Sequence, residues 1–450
     1  MNRLILLAIL LATIFLGTTL QAHIDTTINL NFEDKINKWL VEYNVPAVGI
    51  GIIENREVMC IKMFGELKKG VPAPDNTIFG VASMTKTVVA MLTLKLVEAG
   101  QWDLDEPLFH YWIDPDVAKD PRHKKLTTRH VLSHQTGLPN WRWMHPTKKL
   151  TFDFEPGTDF SYSGEGFVYL AHALENKFNK SLMQLSDSFL FEPLDMKDTR
   201  YYWDEDMDES RFAFWHDSQG NLHKPGMPKK KEVNAGASLL TTVEDYCKFG
   251  IDVMNGAGLS ADLYNDMIRT QVKRKTHYGQ GLGWGVVRDL PEGEYALEHY
   301  GSDRGVRTQA VFLPKSKRGI VVLTNGDNGK HVYLNIIKES LDIGDTLLNH
   351  MFKNSENPEK ITLSDEILEQ YVGTYRNVDG DIFKLTREPG VLKIVKDKEA
   401  PYILYPQAED RFFLEDFDFT IEFLKDDADT VSKMVAYYEG QKIIDAKKIR

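Results

Sequence analysis

Residues 83–100 read SMTKTVVAMLTLKLVEAG, and this stretch predicts a helix with a potentially reactive pair at its start. Apolar residues recur along it at helical spacing, at Val89, Leu92 and Leu96. Ser83 and Lys86 are three residues apart, so a helix places both side chains on one face. A partly desolvated lysine can take the proton of a serine hydroxyl and so activate it as a nucleophile. The plainer alternative is that Ser83 caps the helix and Lys86 faces solvent.

An apolar hairpin is predicted on each side of this helix. The early hairpin joins Ala47–Ile53 to Val58–Phe64, and the late one joins Gln309–Leu313 to Gly319–Thr324. A helix precedes the first hairpin, and another, from Tyr333 to about Leu348, follows the second. We therefore expect one antiparallel sheet with strands from both ends of the domain. The region between the hairpins predicts an inserted helical lobe, with a ligand cleft between lobe and sheet.

The character of the sequence changes near the C-terminus. Phe417, Phe419, Ile421 and Phe423 alternate with polar residues, as in a strand with one buried face. Further short apolar runs separated by turn signals predict a small antiparallel barrel or sandwich. The expected fold class is thus α/β (α+β). The predicted boundaries are a main domain at 23–350, a linker at 351–363 and a β domain at 364–450.

The N-terminus predicts export. Arg3 precedes an apolar run from Leu4 to Leu16, and Ala22 offers a small-residue cleavage site. The run is short for a membrane span, which needs about 20 residues, so residues 1–22 are interpreted as a removable signal peptide. Arg3 is the only charged residue among them, so their removal changes the formal charge from −12 to −13. We expect a periplasmic or extracellular protein with no stable membrane span.

The composition excludes several classes of binding partner and cofactor. An acidic chain is a poor candidate for binding nucleic acid, which attracts basic surfaces. Cys60 and Cys247 are the two cysteines among 450 residues, which excludes a four-cysteine metal site. Two buried free thiols are expected, with a disulfide between them as the alternative. His130 and His134 have a spacing that could suit zinc, but Val131 stands where the zinc-protease motif has glutamate. We expect no metal, no cofactor and a small-molecule or short-peptide substrate, with the oligomeric state open.

Further motifs follow the S-x-x-K segment along the chain, and their order is informative about the family. They are Ser161-Tyr162-Ser163-Gly164, Gly281-Leu282-Gly283-Trp284-Gly285 and His299-Tyr300-Gly301, with Thr128–Leu138 and Ala235–Leu239 as supporting segments. In this order the sequence resembles the serine beta-lactamase and penicillin-recognising hydrolase family. The likeness is to its class C-like branch, which includes D-alanyl-D-alanine carboxypeptidases, D-aminopeptidases and esterases. It extends from about Pro46 to Asn325.

The resemblance implies roles for individual residues. Ser83 is expected to be the acylated nucleophile, with Lys86 and Tyr162 as its proton partners, and which of the two is the base stays open. His299 belongs to the third motif. The backbone N–H groups of Ser83 and Ser302 are expected to form the oxyanion hole. Substrate-binding residues are expected to be Gly164, Gly301 and Arg304, with Arg307 as an alternative cation, and Gly301 is expected to let substrate lie close to the strand.

Two departures from the family pattern matter. Gly164 stands where the family commonly has an asparagine, and His299 stands where beta-lactamases usually have lysine. Both changes disfavour beta-lactamase activity and leave acyl transfer possible. The expected function is therefore an exported serine hydrolase, either a D-amino-acid peptidase or an esterase. The alternatives are a beta-lactamase and, in another class, a penicillin-binding sensor or a ligand-binding relative without turnover. The β domain either restricts access to the cleft or only stabilises the protein.

Overall fold

The computed structural model describes residues 30–224, 226–227, 232–352, 358–378, 380–396, 401–414, 419–438 and 441–450. The predicted signal peptide at residues 1–22 lies outside these ranges, as does part of the predicted linker. No helix among the described residues is long and apolar enough to span a bilayer.

The predicted sheet is present and joins the two ends of the main domain. Nine strands lie in the order β3-β2-β1-β11-β10-β9-β8-β7-β6, with antiparallel pairing throughout. They are β1 (Ala47–Glu54), β2 (Glu57–Lys68), β3 (Val71–Pro72), β6 (Val272–Lys273), β7 (Tyr278–Gln280), β8 (Gly285–Leu290), β9 (Glu294–Asp303), β10 (Val306–Leu313) and β11 (Arg318–Thr324). A separate pair is formed by β4 (Phe79–Gly80) and β5 (Leu240–Thr241). The β1–β11 pairing confirms the expected joining of the two hairpins.

Helices cover both faces of the sheet. One face packs against α1 (Leu30–Glu42), α8 (Gly329–Ser340) and α9 (Gly344–Phe352). The other face packs against the inserted lobe, whose helices are α2 (Thr85–Glu98), α3 (Thr128–Leu132), α4 (Gly164–Phe178), α5 (Leu182–Ser186), α6 (Val243–Met254) and α7 (Ala261–Ile268). Alternation along the strands serves both cores, since Val311 faces the first layer and Phe312 faces the second. The predicted fold class is confirmed.

Three local predictions need correction. The helix predicted from Tyr333 to Leu348 is two helices, because Leu341 has extended backbone angles and ends the first of them. Helix α2 is buried on nearly every side, since it lies at the centre of the lobe, and the alternative in which Lys86 faces solvent is therefore wrong. Both cysteines are free, but only Cys247 is buried, because Cys60 lies on β2 at a partly exposed position.

The C-terminal domain is a closed barrel, so the barrel and not the sandwich is the observed form. Its strands are β12 (Gly373–Asn377), β13 (Ile382–Glu388), β14 (Val391–Lys396), β15 (Tyr402–Pro406), β16 (Arg411–Leu414), β17 (Phe419–Lys425), β18 (Val431–Tyr438) and β19 (Gln441–Lys448). The pairing of β12 with β19 closes it. A short helix, α10 (Asp365–Glu369), precedes β12 and begins at the Ser364 cap.

Candidate active site

Ser83 lies on a tight turn held against the sheet. The 3₁₀ turn Ala82–Met84 leads directly into α2, and Ala82 has a positive φ of 46°. The carbonyl oxygen of Val81, just before the turn, accepts a hydrogen bond of 3.2 Å from Thr308 on β10. A side chain at Gly301 would overlap that same oxygen, so this glycine lets β9 approach the turn. The close fit places Ser83 beside the third motif.

Lys86 is fully buried and points at the serine. Its Nζ lies 3.1 Å from Ser83 Oγ and donates a 2.7 Å hydrogen bond to the carbonyl oxygen of Gly236. The ring centroids of Tyr162 and Trp141 are 4.8 Å and 5.6 Å from the same nitrogen. Burial lowers the pKa of Lys86 to about 7. A large fraction of this amine is therefore neutral near neutral pH and able to accept a proton.

His134 fixes the position of Tyr162. The backbone oxygen of His134 accepts a 2.9 Å hydrogen bond from Ser161 N, and its Nδ1 accepts one of 3.1 Å from Ser163 N. The His134 and Tyr162 rings pack with centroids 4.3 Å apart. Burial raises the pKa of the Tyr162 phenol, while its hydrogen bond with Ser83 acts in the opposite direction. The phenol thus remains protonated beside the serine.

His299 is neutral in this setting. It is buried on β9, and its Nδ1 lies 2.8 Å from the Tyr300 carbonyl oxygen. Because a carbonyl only accepts hydrogen bonds, Nδ1 carries the proton and Nε2 is the acceptor nitrogen. Burial, followed by the nearby Lys86, lowers the pKa of His299 to about 3. The third motif therefore supplies no cation, unlike a lysine at the same position.

The other predicted site residues differ in how they are placed relative to Ser83 and Tyr162. Ser302 follows Gly301 on β9, beside the serine turn, and Gly164 begins α4 directly after the Tyr162 segment. Arg304 lies at the β9–β10 turn, where its Nε donates a 2.9 Å hydrogen bond to His223 Nδ1. Arg307 donates to the backbone oxygens of Asp303 and Val306 nearby.

A cleft of about 550 Å³ opens beside Tyr162 and His299. Its basic residues are Lys273 and Arg274, and Arg274 lies 4.5 Å from the Phe160 ring centroid. The buried Glu298 accepts hydrogen bonds from Tyr278 at 2.6 Å and from Gln309 at 2.8 Å. The complete lining is Asn140, Asp159, Phe160, Ser161, Tyr162, Lys273, Arg274, Tyr278, Gln280, Gly285, Glu298, His299, Tyr300 and Ile443. Ile443 comes from β19, so the barrel contributes to the cleft wall.

No cluster of three potential metal ligands occurs within the described ranges. His130 is part of a capping box at the start of α3, where its Nδ1 accepts a 3.3 Å hydrogen bond from Thr127 N. The histidine pair therefore has two structural tasks, one at a helix start and one beneath Tyr162. The glycine-rich segment packs closely as well, since a side chain at Gly283 would overlap Ala90 on α2.

Comparison with known proteins shows the family of the chain. A family model described as Beta-lactamase matches residues 25–339. The chain belongs to the beta-lactamase family. Within the family it is similar to Penicillin-binding protein 4* of Bacillus subtilis, with 22% identity over 414 residues, 84% of this chain and 89% of the relative.

Two solved structures extend the family likeness to the fold. The octameric penicillin-binding protein homologue from Pyrococcus abyssi has a TM-score of 0.61 at 21% identity, covering 92% of this chain and 99% of that one. D-amino acid amidase from Ochrobactrum anthropi has a TM-score of 0.59 at 20% identity, covering 70% of this chain and 98% of that one. The coverage of the Pyrococcus structure includes most of the barrel, whereas that of the amidase is about the length of the main domain.

Several residues at the site were not identified from the sequence. The Gly236 carbonyl, His134 and Arg274 reach the site from distant segments, and backbone oxygens have no sequence signature. Trp141 also lies beside Lys86, and the available signal for it was Gly164, which stands where the family commonly has asparagine.

Proposed function

We propose that this protein is an exported serine hydrolase that forms an acyl-enzyme on Ser83 and cleaves an amide or ester bond. A D-amino-acid peptidase or carboxypeptidase, or an esterase, is the expected activity. One observation carries the proposal: a buried lysine amine with a lowered pKa lies 3.1 Å from the Ser83 hydroxyl. Export is supported by the apolar run Leu4–Leu16, which precedes the described residues.

The chemistry follows from the proton positions. Neutral Lys86 accepts the hydroxyl proton as Ser83 Oγ attacks the substrate carbonyl carbon. The N–H groups of Ser83 and Ser302 stabilise the oxyanion, and each such donor contributes about 3 to 4 kcal/mol. As the tetrahedral intermediate collapses, the proton passes through the Tyr162 hydroxyl to the leaving nitrogen or oxygen. Water then attacks the acyl carbon, again with Lys86 as base, and releases the acid and free serine.

Lys86 is a better general base than Tyr162 in this environment. A base is most effective when its pKa lies near the working pH. Burial brings the Lys86 pKa to about 7 but moves the Tyr162 pKa upward, away from that range. Tyr162 therefore relays a proton in its protonated form, through its hydrogen bond to Ser83. We therefore propose Lys86 as the base and Tyr162 as the proton relay, a choice that the S-x-x-K motif alone leaves open.

The pH dependence of acylation tests the base. Because Lys86 must be neutral to act, we expect kcat/KM to rise with pH and level off above about 7, the pKa of Lys86. Below that value, each pH unit should lower the rate about tenfold. The measurement is hydrolysis of a p-nitrophenyl ester between pH 5 and 9, with the spontaneous rate subtracted. A rate that still rises about tenfold per pH unit at pH 9 would mean that a group with an ordinary lysine or tyrosine pKa is the base.

The function itself is tested by labelling and by turnover. We expect a fluorescent phosphonate to modify one residue, identified as Ser83 by mass spectrometry of the labelled peptide. With p-nitrophenyl esters and D-amino-acid peptides, product should continue to form well beyond one equivalent of protein. A single burst that stops at one equivalent would contradict hydrolase activity and support a penicillin-binding sensor. Nitrocefin in the same panel tests beta-lactamase activity, which the neutral His299 disfavours.

The barrel wall gives a prediction about substrate size. Ile443 is 52% exposed yet lines the cleft with Tyr162 and His299. Ile443→Ala should leave kcat/KM for a small ester unchanged within about twofold, since surface truncations have small effects on stability. It should raise kcat/KM for D-peptides of four or more residues relative to dipeptides, because the wall recedes. An unchanged ratio of long to short substrates would show that the barrel does not restrict the cleft.

A further inference from the structure

Trp141 occupies the space that a side chain at position 164 would need. A Cβ atom at Gly164 would lie 2.5 to 2.7 Å from three atoms of the Trp141 ring. A Cβ at Gly236 would lie 3.0 Å from the same ring. The indole therefore packs directly on two glycine backbones. An asparagine at position 164, the common family residue, cannot coexist with this placement of the ring.

The residues on either side of Trp141 hold the ring in this position. The carbonyl oxygen of Asn140 accepts hydrogen bonds of 3.0 Å from the N–H groups of Gly164 and Glu165. Asn140 Oδ1 accepts a further 3.0 Å hydrogen bond from Gly164 N. Arg142 N donates to Glu165 Oε1 at 3.0 Å, and its guanidinium binds both oxygens of that carboxylate. The loop and the start of α4 are thus joined both before and after the indole.

The ring forms one wall of the Lys86 environment. Three aromatic rings surround Lys86 Nζ, those of Tyr162 at 4.8 Å, Trp141 at 5.6 Å and Phe167 at 5.8 Å. The polar partners of this nitrogen are Ser83 Oγ and the Gly236 carbonyl oxygen. Trp141 contacts the same Gly236 backbone. Truncating the indole would open a path for water to the amine and loosen its carbonyl partner.

We propose that Trp141 is a positioning residue that keeps water away from Lys86 and so maintains Lys86 as the base for Ser83. The ring of Trp141 takes the place of the asparagine side chain that the family commonly has at the position of Gly164. The inference rests on the proposed function, in which Lys86 takes the serine proton. It gives Gly164 a role different from substrate binding, since the glycine makes room for the ring.

The Trp141 ring has two opposing effects on the pKa of Lys86, and their balance decides whether removing the ring raises or lowers that pKa. An indole attracts an ammonium and would raise the lysine pKa, but this attraction is weak near its limit of about 6 Å. Desolvation lowers a buried lysine pKa by up to about 3 to 5 units. Desolvation is also the cause of the lowered Lys86 pKa in this protein. Removing the ring should therefore raise the Lys86 pKa.

Three titratable side chains near Lys86, those of His134, Tyr162 and His299, carry no charge near neutral pH. Arg274, which acts electrostatically on all three, stays charged throughout the range and so adds no titration of its own. Burial lowers the pKa of His299 to about 3 and holds that of His134 well below its ordinary value. Burial raises the pKa of Tyr162, so the phenol is protonated. A shift in the acid limb of the rate profile can therefore be assigned to the lysine.

The test is the pH dependence of the second-order rate of phosphonate labelling. In Trp141→Ala, the acid limb of the rate profile should move to higher pH by roughly one unit or more, because water reaches the amine and raises the pKa of Lys86. Trp141→Phe should keep the limb within about 0.3 units of wild type because a ring still covers the amine. Trp143→Ala is the matched control: Trp143 stacks on Trp141 at 4.8 Å and is 54% exposed, so its loss should leave the limb unchanged.

Gly164→Ala provides an independent route to the same displacement. Its methyl group would strike the ring, so the limb should also move upward and the melting temperature should fall. In Trp141→Ala/Gly164→Ala the melting temperature should recover towards that of Trp141→Ala, while the limb stays shifted. A wild-type limb near 7 that Trp141→Ala leaves in place would overturn this inference alone. A wild-type profile without such a limb would overturn the assignment of Lys86 as base.

Discussion

Ser83→Ala is expected to abolish phosphonate labelling and to lower ester hydrolysis by at least ~10⁴-fold, while leaving the fold intact. Removal of a catalytic nucleophile in well-studied serine hydrolases lowers kcat roughly 10⁶-fold. The rate that remains is about 10³-fold to 10⁴-fold above the uncatalysed rate in water, because the oxyanion hole and substrate binding still act. The Ser83 hydroxyl is the group that Lys86 and Tyr162 both contact. In the proposed mechanism its loss removes the atom that forms the covalent bond.

The fold should tolerate this substitution because Ser83 is only partly buried and its turn is held by backbone and Thr308 contacts. Circular dichroism and melting temperature should match wild type closely. Ser188→Ala is the matched control, since Ser188 is exposed and its hydroxyl donates a 2.9 Å hydrogen bond to the Gln184 carbonyl oxygen on its own helical segment. Labelling of Ser83→Ala at the wild-type rate would show that another residue is the nucleophile.

Much of the framework could be predicted from local sequence. The two hairpins and the S-x-x-K helix have strong short-range periodicity, and their pairing follows from sheet topology. The contact between Ser83 and Lys86 needs only a three-residue step across the 3₁₀ turn and α2. Such predictions succeed because neighbours along the chain determine the geometry.

The remainder of the site depends on long-range contacts. Lys86 and Gly236 are 150 residues apart, and a backbone carbonyl gives no sequence signal. The sequence named Arg304 as a substrate-binding cation, but the lining of the cleft contains Arg274, whereas Arg304 lies in the β9–β10 turn and donates to His223. Likewise, alternating apolar residues predict β17, but only the β12–β19 pairing reveals that the barrel closes.

Loop 140–142 shows how a structural ion pair can serve the site. Arg142 binds Glu165 at 2.8 Å, Asp114 at 2.9 Å and Asp116 at 3.1 Å. Side-chain exposure is only 5% at Glu165 and 9% at Asp114, so two carboxylates depend on this guanidinium for neutralisation. The hydrogen bond with Glu165 raises the pKa of Arg142, which remains charged at any working pH.

Arg142→Met should therefore destabilise the protein by about 3 kcal/mol, since removing one partner of a buried ion pair leaves uncompensated charge and costs about 3 to 5 kcal/mol. The lower end applies because Arg142 itself is 32% exposed. The measurement is urea unfolding with the m-value compared. Arg122→Met is the matched control: Arg122 binds Asp120 at 2.6 Å, with both side chains over a quarter exposed. Exposed pairs of this kind contribute about 0 to 1 kcal/mol.

The same substitution has a consequence for catalysis that a purely stabilising arginine would not produce. If Arg142 holds Trp141 over Lys86, the folded Arg142→Met protein should show the upward shift of the acid limb expected of Trp141→Ala, in smaller degree. Arg142→Lys should keep part of the stability, because lysine supplies a point charge without the bidentate geometry. A stability of Arg142→Met within 1 kcal/mol of wild type would mean that water can solvate the charges of Glu165 and Asp114 without the guanidinium, and that the loop is held by its backbone alone.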